Sequence, residues 1–143
     1  MKITSKSRYA LKIVLALSEH GDEQIQRAKL SAETGLKSTY GDQVIGRLRD
    51  AGIVQATRGR GGGLKLAKQS NEIDVWEVFE AVEDNLSPVI CLDAEGSCEQ
   101  EASCNSADAW GMIHQKMKSS LAGISLEDLM SLDGEGPRTD SVE

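Results

Sequence analysis

Aromatic residues are scarce: one Phe, two Trp and two Tyr in 143 residues. That leaves little material for a large all-β core. The apolar residues fall in periodic segments, so disorder is not indicated and mostly helix is expected. No run of about 18 apolar residues occurs, and no membrane-spanning helix is expected. The opening Met1-Lys2-Ile3-Thr4-Ser5-Lys6 leads into an amphipathic segment broken by Lys12, unlike a secretory leader, so the expected location is the cytoplasm. The only histidines are His20 and His114, which gives no local Cys–His pair. The serines fall at caps and loops, and the carboxylates form no recognisable cleft pair. An enzyme is not expected. The three cysteines are an odd count where thiols stay reduced, and point to a metal or redox site rather than disulfides.

What is present divides sharply by charge. Residues 1–70 hold 13 Lys/Arg against 6 Asp/Glu, whereas residues 71–143 hold 3 against 17, so the net −7 conceals a basic half joined to an acidic one. A basic unit suits phosphates; the plainer alternative is a solvated basic surface. The length fits one compact domain with an appendage.

Tyr9, Ala10, Ile13, Val14, Ala16 and Leu17 recur at three- and four-residue spacing, which predicts a helix from Ser5 to about His20. A short helix is expected from about Arg27 to Thr34, ended by Gly35, and after Leu36-Lys37 a third, capped by Ser38. In that third helix Val44, Ile45 and Leu48 face inward, leaving Lys37, Thr39, Tyr40, Asp42, Gln43, Arg47 and Arg49 polar or exposed. Helix, glycine turn and helix form a helix-turn-helix, whose second helix suits a major groove.

Two short strands, Ile53–Thr57 and Leu64–Ala67, flank Arg58-Gly59-Arg60-Gly61-Gly62-Gly63 and read as a β-hairpin wing. A nucleotide-binding loop would need a lysine and a hydroxyl residue leading into a helix, which Leu64-Lys65-Leu66-Ala67 does not offer. The glycines are expected to let the backbone approach DNA while Arg58 and Arg60 reach phosphates or a minor groove; a plain flexible turn is the alternative. Asp74 with Glu77 suggests a capping box for a further helix. Trp110, Ile113, Met117, Leu121 and Ile124 form a helical stripe suited to dimerisation, or alternatively to packing within one chain.

Cys91, Cys98 and Cys104 form Cys-x6-Cys-x5-Cys in a segment without regular periodicity, a loop able to bring three sulfurs to one centre. Such spacing admits an iron–sulfur cluster first, then zinc, then thiol redox chemistry. A fourth donor is not specified: Asp108, His114, the other subunit or a small molecule all remain open. His114 and His20 also read as surface or structural residues.

Together these features resemble the Rrf family of bacterial regulators, particularly its iron–sulfur members of the IscR, NsrR and RirA types. The resemblance spans about residues 1–132. It rests on Met1 to Ala10, Arg47-Leu48-Arg49-Asp50-Ala51-Gly52-Ile53-Val54, Arg58 to Leu66, the three cysteines and Ser125-Leu126-Glu127-Asp128-Leu129. The opening segment is most similar to the IscR type. The resemblance implies a symmetric dimer with long crossed helices and a [2Fe-2S] or [4Fe-4S] cluster. Two departures stand out: Ala107 occupies the place of the IscR-type histidine ligand, and Arg8 does not match the acidic ligand of some NsrR-type proteins.

The expected architecture is therefore mainly α: a winged helix-turn-helix domain over residues 1–83, a linker and cysteine loop over 84–107, a dimerisation helix and short terminal helix over 108–132, and a disordered tail over 133–143. The expected function is iron–sulfur-dependent transcriptional regulation, as a repressor of iron–sulfur, iron or redox and nitrosative stress genes. Ser38, Thr39, Tyr40, Gln43, Arg58 and Arg60 are expected on DNA, and Cys91, Cys98 and Cys104 on the metal. A homodimer is expected to bind an imperfect palindrome, with no membrane partner. The rivals are a zinc- or thiol-based redox regulator and an iron–sulfur carrier or interaction module that does not bind DNA.

Overall fold

The computed structural model describes residues 3–93, 98–100 and 103–132, with Ser38 described by its backbone alone. Thr4 is extended and its hydroxyl accepts from the Lys6 N–H, satisfying one donor at the start of helix α1, Ser5–Glu19. Ala10, Ile13, Val14 and Leu17 form its buried face, and α1 touches most of the other elements. Helix α2, Arg27–Thr34, stops at Gly35, whose φ of 69° is the left-handed conformation glycine adopts without a Cβ penalty.

Helix α3, Ser38–Asp50, buries Val44, Ile45 and Leu48 against α1 and against helix α4, Val75–Val82. Ser38 is its first helical residue rather than its cap. Lys37 holds the cap position in extended conformation, and its side chain caps nothing. An ammonium group has no lone pair to offer the first-turn N–H groups.

Strands β1, Val54–Thr57, and β2, Gly63–Leu66, pair antiparallel with Val54 opposite Leu66 and Thr57 opposite Gly63. Ile25 extends this hairpin on its other side: its N–H reaches the Leu64 carbonyl at 2.9 Å, and the Leu64 N–H reaches its carbonyl at 2.8 Å. A 3-10 turn, Ser70–Glu72, carries a reciprocal cap between Gln69 and Glu72. At α4, Asp74 accepts from the Glu77 N–H at 2.8 Å, but the Glu77 carboxylate turns to Lys68 at 2.5 Å, so only half of the expected box forms.

Helix α5, Ala107–Ala122, is followed by the short helix α6, Leu126–Met130, whose Ser125 and Asp128 cap each other. The chain returns to the core here. Val75 N–H donates to the Ile124 carbonyl at 3.0 Å, Leu126 N–H donates to the Ile73 carbonyl at 2.9 Å, and the fully buried Leu126 joins the cluster that includes Ala10, Ile13 and Val78. The expected stripe therefore divides, and its last member, Ile124, lies beyond the end of α5. Leu121 and Ile124 pack within the chain, while Trp110 and Ile113, with neighbouring Met112, remain exposed at 36%, 43% and 63%. No helix among the described residues is long and apolar enough to cross a membrane.

Candidate nucleic-acid interface and cysteine segment

With Val44, Ile45 and Leu48 turned inward, α3 presents Thr39 and Gln43 to solvent and leaves Tyr40 half-buried. The Tyr40 ring rests edge-on against Tyr9 of α1, centroids 5.2 Å apart, an arrangement that fixes an aromatic side chain more firmly than solvent would. The side chain of Ser38 lies outside the described residues. Two polar residues on this helix are already engaged: Asp42 pairs with Arg27 of α2, and Arg47 turns back toward the protein. Sequence spacing alone did not separate Arg47 from the outward-facing residues.

Arg58 and Arg60 occupy the exposed wing tip and form no ion pair among the described residues. The surrounding glycines are required by the hairpin itself. Gly59 and Gly61 have φ of 96° and 73°. A Cβ on Gly62 would collide with the Thr57 carbonyl, and one on Gly63 would stand 2.6 Å from the Ile25 carbonyl oxygen. The hairpin's closure against Thr57 and Ile25 is by itself a physical reason for glycine at these two positions.

The exit of α4 is tied to α3 and to α1. Arg47 Nη1 donates to the Val82 carbonyl at 3.0 Å and to Asp84 Oδ1 at 2.7 Å, while Lys6 Nζ holds Asp84 Oδ2 at 2.9 Å. The Arg47 hydrogen bond foremost, then that of Lys6, lowers the Asp84 pKa to about 2. Beside it, Glu83 Oε1 accepts from the Thr4 hydroxyl at 2.6 Å, the Thr4 N–H at 3.1 Å and the buried Ser7 hydroxyl at 2.6 Å. Residues 82–84 thus join α1 and α3 to the segment that leads to the cysteines.

Cys91 lies in the short turn Ile90–Leu92, and Cys104 lies two residues before the Ser106 cap of α5. All three thiols are free and partly exposed. Cys104 Sγ stands 3.2 Å from Ser106 Oγ. That hydroxyl, aided by the Ser106 and Ala107 backbone, draws the thiol pKa down against desolvation. Three free thiols on one segment, one of them biased toward thiolate, fit the donor chemistry of an iron–sulfur group. Among the described residues, no three Cys, His, Asp or Glu side chains gather into a metal-holding group. His114 is not a free surface residue: its ring packs edge-on to Trp76 at 5.7 Å, with Nδ1 buried and without a hydrogen-bond partner among the described residues.

Comparison with known proteins gives a consistent result. Residues 3–132 match the Rrf2 family, described as iron-dependent transcriptional regulators. The HTH-type transcriptional regulator IscR of Aliivibrio salmonicida is 36% identical over 131 residues, covering 91% of this chain and 77% of that protein. Protein rrf2 of Nitratidesulfovibrio vulgaris is 34% identical over 131 residues, covering 91% and 87%. Among solved structures, CymR, the global cysteine regulator of B. subtilis, superposes with a TM-score of 0.71 at 30% identity, covering 92% of this chain and 97% of that one. T. potens IscR gives a TM-score of 0.69 at 24% identity, covering 91% and 86%.

Proposed function

The chain belongs to the Rrf2 family of transcriptional regulators, and from that premise we propose that it is an iron–sulfur-dependent repressor acting as a homodimer on an imperfect palindrome. It regulates transcription through DNA and is not an enzyme, as its relatives are regulators. Ser38, Thr39, Tyr40 and Gln43 meet base edges and adjacent phosphates in the major groove, and Arg58 and Arg60 enter the minor groove from the wing. The observation that carries this reading is the exposure of Thr39 and Gln43 on α3 together with that of Arg58 and Arg60 on the wing.

Cys91, Cys98 and Cys104 are the residues that would hold the cluster, [2Fe-2S] or [4Fe-4S]. When bound, it supplies a centre responsive to iron, oxidants or nitric oxide, suited to control of iron–sulfur, iron and stress genes. The chain's own contribution is the path from that segment to DNA: Asp84 and the Val82 carbonyl hold Arg47 on the reading helix. A thiol-based redox regulator is the second reading, favoured by the thiolate bias of Cys104.

The test is fluorescence anisotropy on an operator selected from random duplexes, with iron and sulfide counted per chain after anaerobic purification. Replacing Arg58 and Arg60 by Ala is expected to weaken binding at least about tenfold, in line with losing two minor-groove contacts. Matching iron and sulfide, with different operator affinity before and after their removal, supports the proposal. Equal affinity of the two forms, or a colourless zinc protein, overturns the iron–sulfur control.

A further inference from the structure

Beside the reading helix lies a groove of about 440 Å³ lined by Ser5, Tyr9, Gly35, Leu36, Lys37 and Tyr40. Ser5 and Tyr9 are four residues apart and so share one face of α1. The edge-on contact of Tyr9 with Tyr40 makes that face continuous with α3. Among the described residues no carboxylate lines the groove, and neither α1 nor α3 places an acid in its first turn. Lys37 is exposed and forms no ion pair among the described residues, and the two tyrosine hydroxyls have no hydrogen-bond partner there. One cationic and three hydroxyl-bearing side chains thus line a single recess, and no acidic residue among the described residues lines it with them.

We infer that this groove grips one backbone phosphate of the duplex, with Lys37 supplying the charge and Ser5, Tyr9 and Tyr40 the hydrogen-bond donors. The inference rests on the DNA-binding reading above and extends the interface from α3 and the wing onto the start of α1. A phosphodiester presents the same oxygens at every step, so the contact sets register and orientation and carries no base information. Tyr40 then stands at the boundary between gripping and reading. Tyr9, which touches no base, holds it there.

The experiment measures the affinity of the full chain for a duplex of about 30 base pairs of arbitrary sequence and for a selected operator, over a range of salt. Removing one phosphate-neutralising lysine makes the slope of log affinity against log salt shallower by about 0.9 per protomer. Lys37→Ala is expected to do this on both duplexes, and Lys37→Arg to keep the wild-type slope. Tyr9→Phe, which retains the ring against Tyr40, is expected to weaken both duplexes by about fivefold with little change of slope. An unchanged slope in Lys37→Ala, or a loss confined to the selected operator, overturns the inference. So does an equal response of the Tyr9 ring resonances to inorganic phosphate alone, which would assign the groove to a free anion. Wild-type protein that binds no duplex at all would instead refute the DNA-binding reading itself.

Discussion

Glu83 is the most heavily used acceptor where the chain leaves α4, taking three hydrogen bonds from Thr4 and Ser7 at the start of α1. Burial pushes its pKa up, but the hydrogen bonds from Ser7 and Thr4 outweigh burial and hold it below its ordinary 4.5. The folded state therefore favours the carboxylate more than the unfolded chain does. Its contribution is complete above the unfolded value of 4.5 and is lost as pH falls through the lower folded value.

Glu83→Ala strands the fully buried Ser7 hydroxyl, at about 1–3 kcal/mol, and removes charge-assisted bonds, while sparing the carboxylate its own desolvation. A net loss of about 2–3 kcal/mol is expected at neutral pH, or about 7–10 °C in Tm for a chain of this size. Glu83→Gln retains an acceptor carbonyl and should lose about 1 kcal/mol. Thermal and urea unfolding near neutral pH and near pH 3 would measure both, with the gap between wild type and Glu83→Ala narrowing in acid. A gap of the same size at both pH values, or none at neutral pH, would refute the assignment of these hydrogen bonds to the ionised carboxyl.

Three further outcomes follow from other parts of the fold. Leu126→Ala opens a cavity at a fully buried site and is expected to lose about 2–5 kcal/mol in chemical denaturation; a loss under about 1 kcal/mol would mean that α6 is not part of the core. Gly62→Ala drives a Cβ into the Thr57 carbonyl, so operator affinity should fall at least about tenfold with only a modest drop in Tm, since the distortion is confined to the wing. Unchanged binding would detach the wing from the interface. Ser106→Ala removes the principal stabiliser of the Cys104 thiolate; iodoacetamide should then label Cys104 more slowly in metal-free protein at neutral pH, with Cys91 and Cys98 as internal references, and an unchanged rate would refute that role.

The elements that were readable in advance are those set by local chemistry. The spacing of Ala10, Ile13, Val14 and Leu17 announces α1, and Gly35 announces the turn because its left-handed backbone is a single-residue property. What escaped depends on residues distant in sequence. Gly63 is pressed by Ile25, Arg47 is drawn back by Val82 and Asp84, and Leu126 returns to α1. His114 followed the same pattern, since its environment is set by Trp76 on another helix. For the candidate site, the outward face of α3 and the wing arginines could be read from periodicity and turn chemistry. The groove formed with Ser5 and Tyr9 could not, because only tertiary packing sets α1 beside the turn.

The backbone bonds that return the chain at Ile124 and Leu126 fasten α5 at one end, and His114 rests on Trp76 near its midpoint. Its other arm carries Trp110, Met112 and Ile113, exposed, just beyond Cys104. Mechanically this is a beam held at one end, resting on Trp76 of α4 through His114 and Lys118 and touching the Ile90–Leu92 turn. Sixteen residues make it about 24 Å long, so a tilt of about 5° at the clamp moves the cysteine end by about 2 Å. A partner covering the exposed arm would bear on α4, which α5 meets where His114 packs on Trp76, and the last carbonyl of α4 is held by Arg47.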